Sequence, residues 1–141
     1  MASGPTPGLD LAGYLTAYPR EVTFSDEEPA AVLDRYHTAD FELRNDGRLL
    51  DREALLAHVR TGRRTATRIE VAVHDTVTSG DRVAARYTLT AVLRRGRVSV
   101  TEIAMFGRLA ADGRLRRVDQ LTRIPPQPAE RRAAGGDVGP D

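Results

Sequence analysis

Two carboxylates, Glu102 and Asp119, fall on strand faces that are otherwise largely apolar. In the run 98–106 the alternate residues are Val98, Val100, Glu102, Ala104 and Phe106; in the next run they are Leu115, Arg117, Asp119 and Leu121. A carboxylate facing a core costs free energy unless it is paired or used. Burial raises its pKa toward neutrality, where it can move a proton to or from a carbon beside a carbonyl. Asp119 is therefore the first candidate for a general acid–base, its structural alternative being an ion pair with Arg116 or Arg117. Glu102 has the simpler explanation of a cross-strand pair with Arg123, though it too is a candidate pocket residue.

The remaining candidates are donors and pocket walls. His58 flanks the apolar stripe of a helix, where an imidazole serves as base or donor; a half-buried helix-edge residue is its plainer role. Tyr14 and Tyr18 lie one helical turn apart and suit hydrogen-bond donation to a carbonyl, or ordinary core packing. Tyr87 and Phe106 are expected as pocket walls. Arg44 and Asn45 end a strand at the mouth of any hollow, although Asn45 is equally at home in a turn. His37 closes a helix, where an imidazolium suits the dipole, and His74 alternates onto a polar face. The three histidines share no ligand spacing and there is no cysteine, so neither a metal centre nor a cofactor is expected.

These side chains need elements to hold them. Leu11, Tyr14, Leu15 and Tyr18 have helical spacing over 9–18, with Pro19 as the stop. Ser25 and Glu28 form a capping-box pattern for a second helix to about residue 37. A short strand over 40–44 ends at the turn 45–47, and Asp51 caps a third helix that stops near Gly62. Four strands with period-two patterning then fill 67–123. A three-residue loop at 79–81 pairs Val73 with Tyr87 and Val71 with Leu89. A two-residue loop at Arg95-Gly96 pairs Leu89 with Glu102 and Ala85 with Phe106. Asp112-Gly113 pairs Phe106 with Asp119 and Glu102 with Arg123. All three closures place Glu102 and Asp119 on the apolar face, and a slip of one residue at any hairpin undoes that agreement. Helices segregated from an antiparallel meander define an α+β fold.

The chain has 141 residues, 40% of them hydrophobic, which suffices for one domain with a real core. Its 21 basic residues, all arginine, nearly balance 20 acidic ones and are scattered, so no nucleic-acid partner is expected. No run reaches the roughly 18 apolar residues of a membrane span, and the N-terminus lacks a signal-peptide pattern; a soluble, cytoplasmic protein without a membrane partner is expected. Residues 1–8 are expected to fray, 9–124 to form the domain, and the Pro- and Gly-rich stretch 125–141 to be disordered.

The element order, with the segments Tyr36-His37-Thr38-Ala39-Asp40-Phe41-Glu42-Leu43, Leu50-Asp51-Arg52-Glu53-Ala54-Leu55, Ser79-Gly80-Asp81-Arg82-Val83 and Asp112-Gly113-Arg114-Leu115, resembles the nuclear-transport-factor-2-like superfamily. That superfamily includes SnoaL-like polyketide cyclases, ketosteroid isomerase and limonene epoxide hydrolase. The resemblance implies a curved antiparallel sheet wrapped on three N-terminal helices into a cone, a small apolar ligand at its mouth, and a homodimer. It does not extend to the complete acid sets. Asn45 stands where the isomerase has its base, and Met105 near its second acid. Asp119 matches the last aspartate of the hydrolase, while Tyr87 and Leu89 stand in place of its partners. What remains is the chemistry of the SnoaL-like cyclases. The expectation is a cofactor-free cyclase or isomerase for a polyketide-like or other apolar molecule of natural-product biosynthesis. In it Asp119 is the acid–base, His58 or a tyrosine polarises a carbonyl, and Tyr14, Tyr18, Arg44, Asn45, Tyr87, Glu102 and Phe106 surround the substrate. The alternative is a non-catalytic binding or accessory protein of the same fold.

Overall fold

The computed structural model describes residues 4–126. Helix α1 (Leu11–Phe24) starts where Asp10 caps it, accepting a hydrogen bond from the Gly13 N–H at 2.9 Å. It buries Leu11, Tyr14, Leu15 and Val22 along one stripe. Pro19 does not stop it, contrary to expectation, and the helix continues for more than a turn. Burial of Val22 favours that last turn, and Arg63 closes it by donating to the Val22 and Glu27 carbonyls, each at 2.8 Å. Helix α2 (Pro29–Tyr36) begins with proline in its first turn and has no side-chain cap. Ser25, expected to cap it, instead ends α1, its N–H bonded to the Glu21 carbonyl at 3.0 Å.

Strand β1 (His37–Asn45) turns through Asp46 and Gly47, both at positive φ, into the short β2 (Arg48–Leu50). Asp51 caps α3 (Arg52–Thr65) as expected, through the Ala54 N–H at 3.0 Å, and the helix runs on past Gly62. Strands β3 (Ala66–Ser79), β4 (Arg82–Leu93), β5 (Val98–Leu109) and β6 (Leu115–Arg123) complete the sheet, whose order is β2-β1-β6-β5-β4-β3. The expected α+β cone is thus present. The sheet is mixed rather than wholly antiparallel, because β1 pairs in parallel with β6.

Register decides which side chains see the core. Between β3 and β4, Val73 pairs with Tyr87 and Val71 with Leu89, as expected. The loop there has only two residues, Gly80 and Asp81, and an irregularity at His74 supplies the odd residue. The β4–β5 hairpin differs from expectation. Its loop has three residues, 94–96, with Arg95 at φ 70° and Gly96 at φ 78°, and the Leu93 N–H closes it on the Arg97 carbonyl at 2.7 Å. That one added residue slips the pairing by one. Tyr87 now faces Ile103, and Ala85 faces Met105. Because β5 and β6 pair as expected, Phe106 with Asp119 and Glu102 with Arg123, the slip carries both strands over together. Ile103, Met105 and Val118 fill the core, and the series Val98, Val100, Glu102, Ala104, Phe106 lies outside.

Leu11, Tyr14, Leu15, Val32 and Tyr36 from the helices pack on Val83, Ala85, Met105, Leu115 and Val118 of the sheet. Of the stretch 1–8 expected to fray, residues 1–3 lie outside the described residues, and residues 4–8 pack near the β5–β6 turn. Pro7 is fully buried, and the Gly8 N–H donates to the Gly113 carbonyl at 2.9 Å. A Cβ on Gly113, which has φ 88°, would come within 2.7 Å of the Thr6 side chain. The tail expected to be disordered falls, from residue 127 on, outside the described residues. Among the described residues no helix is long and apolar enough to cross a membrane.

Candidate functional site

The helix stripe and the start of β1 bring an aromatic cluster together inside the cone. Tyr14 stacks on Tyr18 at 5.7 Å between ring centroids, Tyr36 tilts against both, and His37 lies edge-on to Tyr18 at 4.8 Å and 4.4 Å from Phe41. Tyr87 enters from β4, where it packs against the same core. His37 is the one buried polar side chain among the described residues, 2% exposed. Its Nδ1 lies 2.7 Å from the Leu33 carbonyl, which can only accept, so Nδ1 carries the proton. Its Nε2 lies 2.7 Å from the Tyr14 hydroxyl and must accept from it.

Burial governs the protonation of the cluster. It lowers the His37 pKa to about 4, against the raising effect of the Leu33 carbonyl and Asp34. Burial also raises Tyr14 and Tyr18 well above the usual phenol range and Tyr87 to about 12. Tyr36 is raised to about 12 by burial and by its 2.8 Å hydrogen bond to Glu21, which Arg35 also holds at 3.1 Å. At neutral pH the cluster is uncharged, and its phenols keep their protons.

Two of those phenols have no hydrogen-bond partner among the described residues. Among the described residues, the only fully buried side-chain polar atom without a hydrogen bond is Arg35 Nε. The Tyr18 and Tyr87 hydroxyls make no hydrogen bond to any described residue, and neither oxygen is fully buried. Asn45 and Gln120 pair across β1 and β6, two residues beyond Leu43 and Val118 on the inward face. Gln120 Nε2 donates to Asn45 Oδ1 at 3.0 Å. The arrangement can hold an apolar molecule by its rings and hydrogen-bond to an oxygen on it.

Of the residues expected at the site, Tyr14, Tyr18, Tyr87 and Asn45 are inside. The others are not. Asp119 is on the outer face, its side chain 54% exposed and 3.8 Å from Arg44 Nε, which faces out with it. Glu102 pairs with Arg123 at 3.2 Å on the same outer face. Phe106 is 70% exposed, and His58 is exposed on α3. The β4–β5 slip accounts for Asp119, Glu102 and Phe106. His58 is displaced because α3 buries Val59 instead. The Asp119 side chain, expected to face a dry hollow, lies on the solvent side instead. His37, expected to be a cation at a helix end, is neutral and central. Gln120 was not singled out from sequence; it sits one residue beyond Asp119, on the opposite face.

Two hollows are found among the described residues. One of about 420 Å³ lies along the sheet against Glu102, Ala104, Leu121 and Arg123 of the outer face, and its lining includes Tyr87 and Ile103. The other, about 580 Å³, follows the side of α1 away from the core, along Ala12, Thr16 and Arg20. Among the described residues there is no cluster of three or more potential metal ligands.

A family model described as a SnoaL-like domain matches residues 16–118. No curated protein matches the chain at a significant level. Among solved structures, IdmH of Streptomyces antibioticus, a proposed polyketide cyclase, is 19% identical over 84% of this chain and 92% of its own, with a TM-score of 0.61. A proposed SnoaL-like polyketide cyclase of Jannaschia sp. CCS1 is 18% identical over 83% and 85%, with a TM-score of 0.61. A protein of Catenulispora acidiphila with a ketosteroid isomerase-like fold, solved with trimethylamine, is 13% identical over 77% and 84%, with a TM-score of 0.58. At such identities these likenesses establish the fold.

Proposed function

The chain belongs to the SnoaL-like domain family, and on that footing we propose that it is a cofactor-free cyclase or isomerase for an apolar carbonyl compound of natural-product biosynthesis, working in the cytoplasm. The observation that carries this is the pair of hydroxyls, Tyr18 and Tyr87, packed on the core without a hydrogen-bond partner among the described residues and kept protonated by burial. Donors of that kind hold a carbonyl and stabilise the negative charge that develops on its oxygen during enolisation or ring closure. The structural neighbours proposed to be polyketide cyclases support the same reaction class. Asp119 takes no part in this version of the mechanism, because its carboxylate faces solvent.

A second reading, non-catalytic binding, is favoured by the placement of the acids. Asp119 and Glu102 face outward, and Glu21, which touches the cluster through Tyr36, is already engaged by Arg35. Both readings require the cone to bind. Calorimetric titration with 2-acetylnaphthalene, an apolar aromatic ketone, tests that requirement. The double substitution Tyr18→Phe, Tyr87→Phe should weaken binding at least tenfold, the effect of losing about one hydrogen bond or more. Unchanged affinity in the double variant rejects the site.

The expected homodimer belongs with this proposal. Ala104, Phe106 and Leu121 form an apolar patch on the outer face, with Phe106 70% and Leu121 69% exposed. The ion pairs Glu102–Arg123 and Arg44–Asp119 flank it. An apolar centre with both charge signs at its rim is suited to a second copy of itself.

A further inference from the structure

The pairing of β4, β5 and β6 aligns three arginines across the outer face of the sheet. Arg82 pairs with Arg108, and Arg108 with Arg117. All three are exposed, while their neighbours Val83, Gly107 and Val118 are buried on the inward face. Like charges directly opposite one another destabilise a sheet. None of the three side chains makes a hydrogen bond or ion pair with a described residue. Elsewhere on the same face arginines are matched: Arg44 with Asp119 at 3.8 Å, Arg86 with Asp75 at 2.7 Å and Arg123 with Glu102 at 3.2 Å. Glu42 stands beside Arg117 on β1 and forms no ion pair with it. Repulsion along the row is a cost that nothing in the described fold offsets, and an anionic partner relieves it.

We propose that this row docks an acidic helix of a partner protein. The proposal is independent of what the cone binds. Three cations in a line on open sheet suit a line of carboxylates, each of which a guanidinium can hold through two N–H bonds. Neighbouring strands lie about 4.8 Å apart, and one helical turn rises about 5.4 Å. Carboxylates at i, i+4 and i+7 on one helix face therefore meet the three strands with a misfit of about 1 Å over the whole row. In an extended segment alternate carboxylates are about 6.7 Å apart, and the misfit grows to about 4 Å. A nucleic-acid backbone suits the row less. Glu42 ends it at β1, Asp119 stands two residues along β6 from Arg117, and both repel a continuing line of phosphates.

The test titrates the isotope-labelled full chain, at low salt, with an alanine-based helical peptide carrying glutamates at i, i+4 and i+7. NMR follows the arginine Nε–H signals. Shifts should concentrate at Arg82, Arg108 and Arg117. The triple substitution Arg82→Gln, Arg108→Gln, Arg117→Gln should weaken binding roughly tenfold, and Arg86→Gln should leave it unchanged. No binding by wild type, or unchanged affinity in the triple variant, overturns the proposal. So does tighter binding of a thymidine tetranucleotide, which carries as many phosphates as the row has arginines and would assign it to nucleic acid. A dimeric wild type whose triple variant is monomeric assigns the row to self-association and overturns the proposal as well. Melting temperature checks the premise without a partner. With the repulsion removed, the triple variant should melt no lower than wild type, and a lower value overturns the inference by showing that the row serves the fold.

Discussion

At His37 two local forces compete for one proton. Burial disfavours the charged imidazolium, the carbonyl of Leu33 and nearby Asp34 favour it, and burial wins, taking the pKa from 6.5 to about 4. The folded state thus binds fewer protons than the unfolded chain between those values. The stabilising contribution of neutral His37 is complete above pH 6.5 and is lost as pH falls toward 4. Urea unfolding should show wild type losing about 2 kcal/mol from this residue between pH 7 and pH 4.5. His37→Gln, with no titrating group, should lose that much less over the same interval. Parallel pH dependences would refute the buried neutral imidazole. Asp119 is the opposite case. It is an exposed carboxylate in a loose pair with Arg44, and such pairs contribute little. Asp119→Asn should keep stability within about 0.5 kcal/mol of wild type and leave 2-acetylnaphthalene affinity unchanged. A tenfold loss of affinity would restore Asp119 to the site. The tyrosines were legible in the sequence because helical spacing and one well-determined hairpin place them. His37 was not, since it stands where α2 becomes β1 and neither period governs it.

The difference that carries Glu102, Phe106 and Asp119 to the outer face lies in one connection. Arg95-Gly96 suits a two-residue loop, yet the chain places Arg94 in the loop as well and takes Arg95 to positive φ. No residue preference announces that, because arginine is not a residue that favours the left-handed region. The apolar pattern could not arbitrate, since β5 is apolar on both faces: Val100, Ala104 and Phe106 on one, Ile103 and Met105 on the other. Met105→Asp and Phe106→Asp separate the two registers. Met105, 3% exposed, should not tolerate an unpaired buried carboxylate, and the variant should lose its folded circular dichroism. Phe106→Asp should remain folded. The reverse pair of outcomes would reinstate the two-residue loop. By contrast, the caps at Asp51 and the β1–β2 turn were legible because their residue types specify their geometry. The continuation of α1 past Pro19 was not, because Arg63, which closes it, lies 41 residues beyond Val22.

For the molecule as a whole, the sheet presents a folded core inward and an apolar patch outward. If a second copy covers the patch, sedimentation velocity should find a dimer in wild type and a monomer in Phe106→Asp, with the tyrosine cluster undisturbed. A monomeric wild type at micromolar concentration would count against that assembly. The α+β class and the cone could be anticipated because the order of elements, unlike the face of any one strand, survives a single slip in register. The site could be anticipated where it depended on α1, the end of β1 and the β3–β4 hairpin, and not where it depended on α3 or the β4–β5 loop. The central claim is that ligands enter the cone at Tyr18 and Tyr87. Its most direct test is a titration of the isotope-labelled chain with 2-naphthol, followed by backbone and side-chain NMR. The account predicts that shifts concentrate at Tyr14, Tyr18, Asn45, Tyr87 and Gln120. Shifts confined to Glu102, Phe106, Asp119 and Arg123, on the outer face, would contradict it.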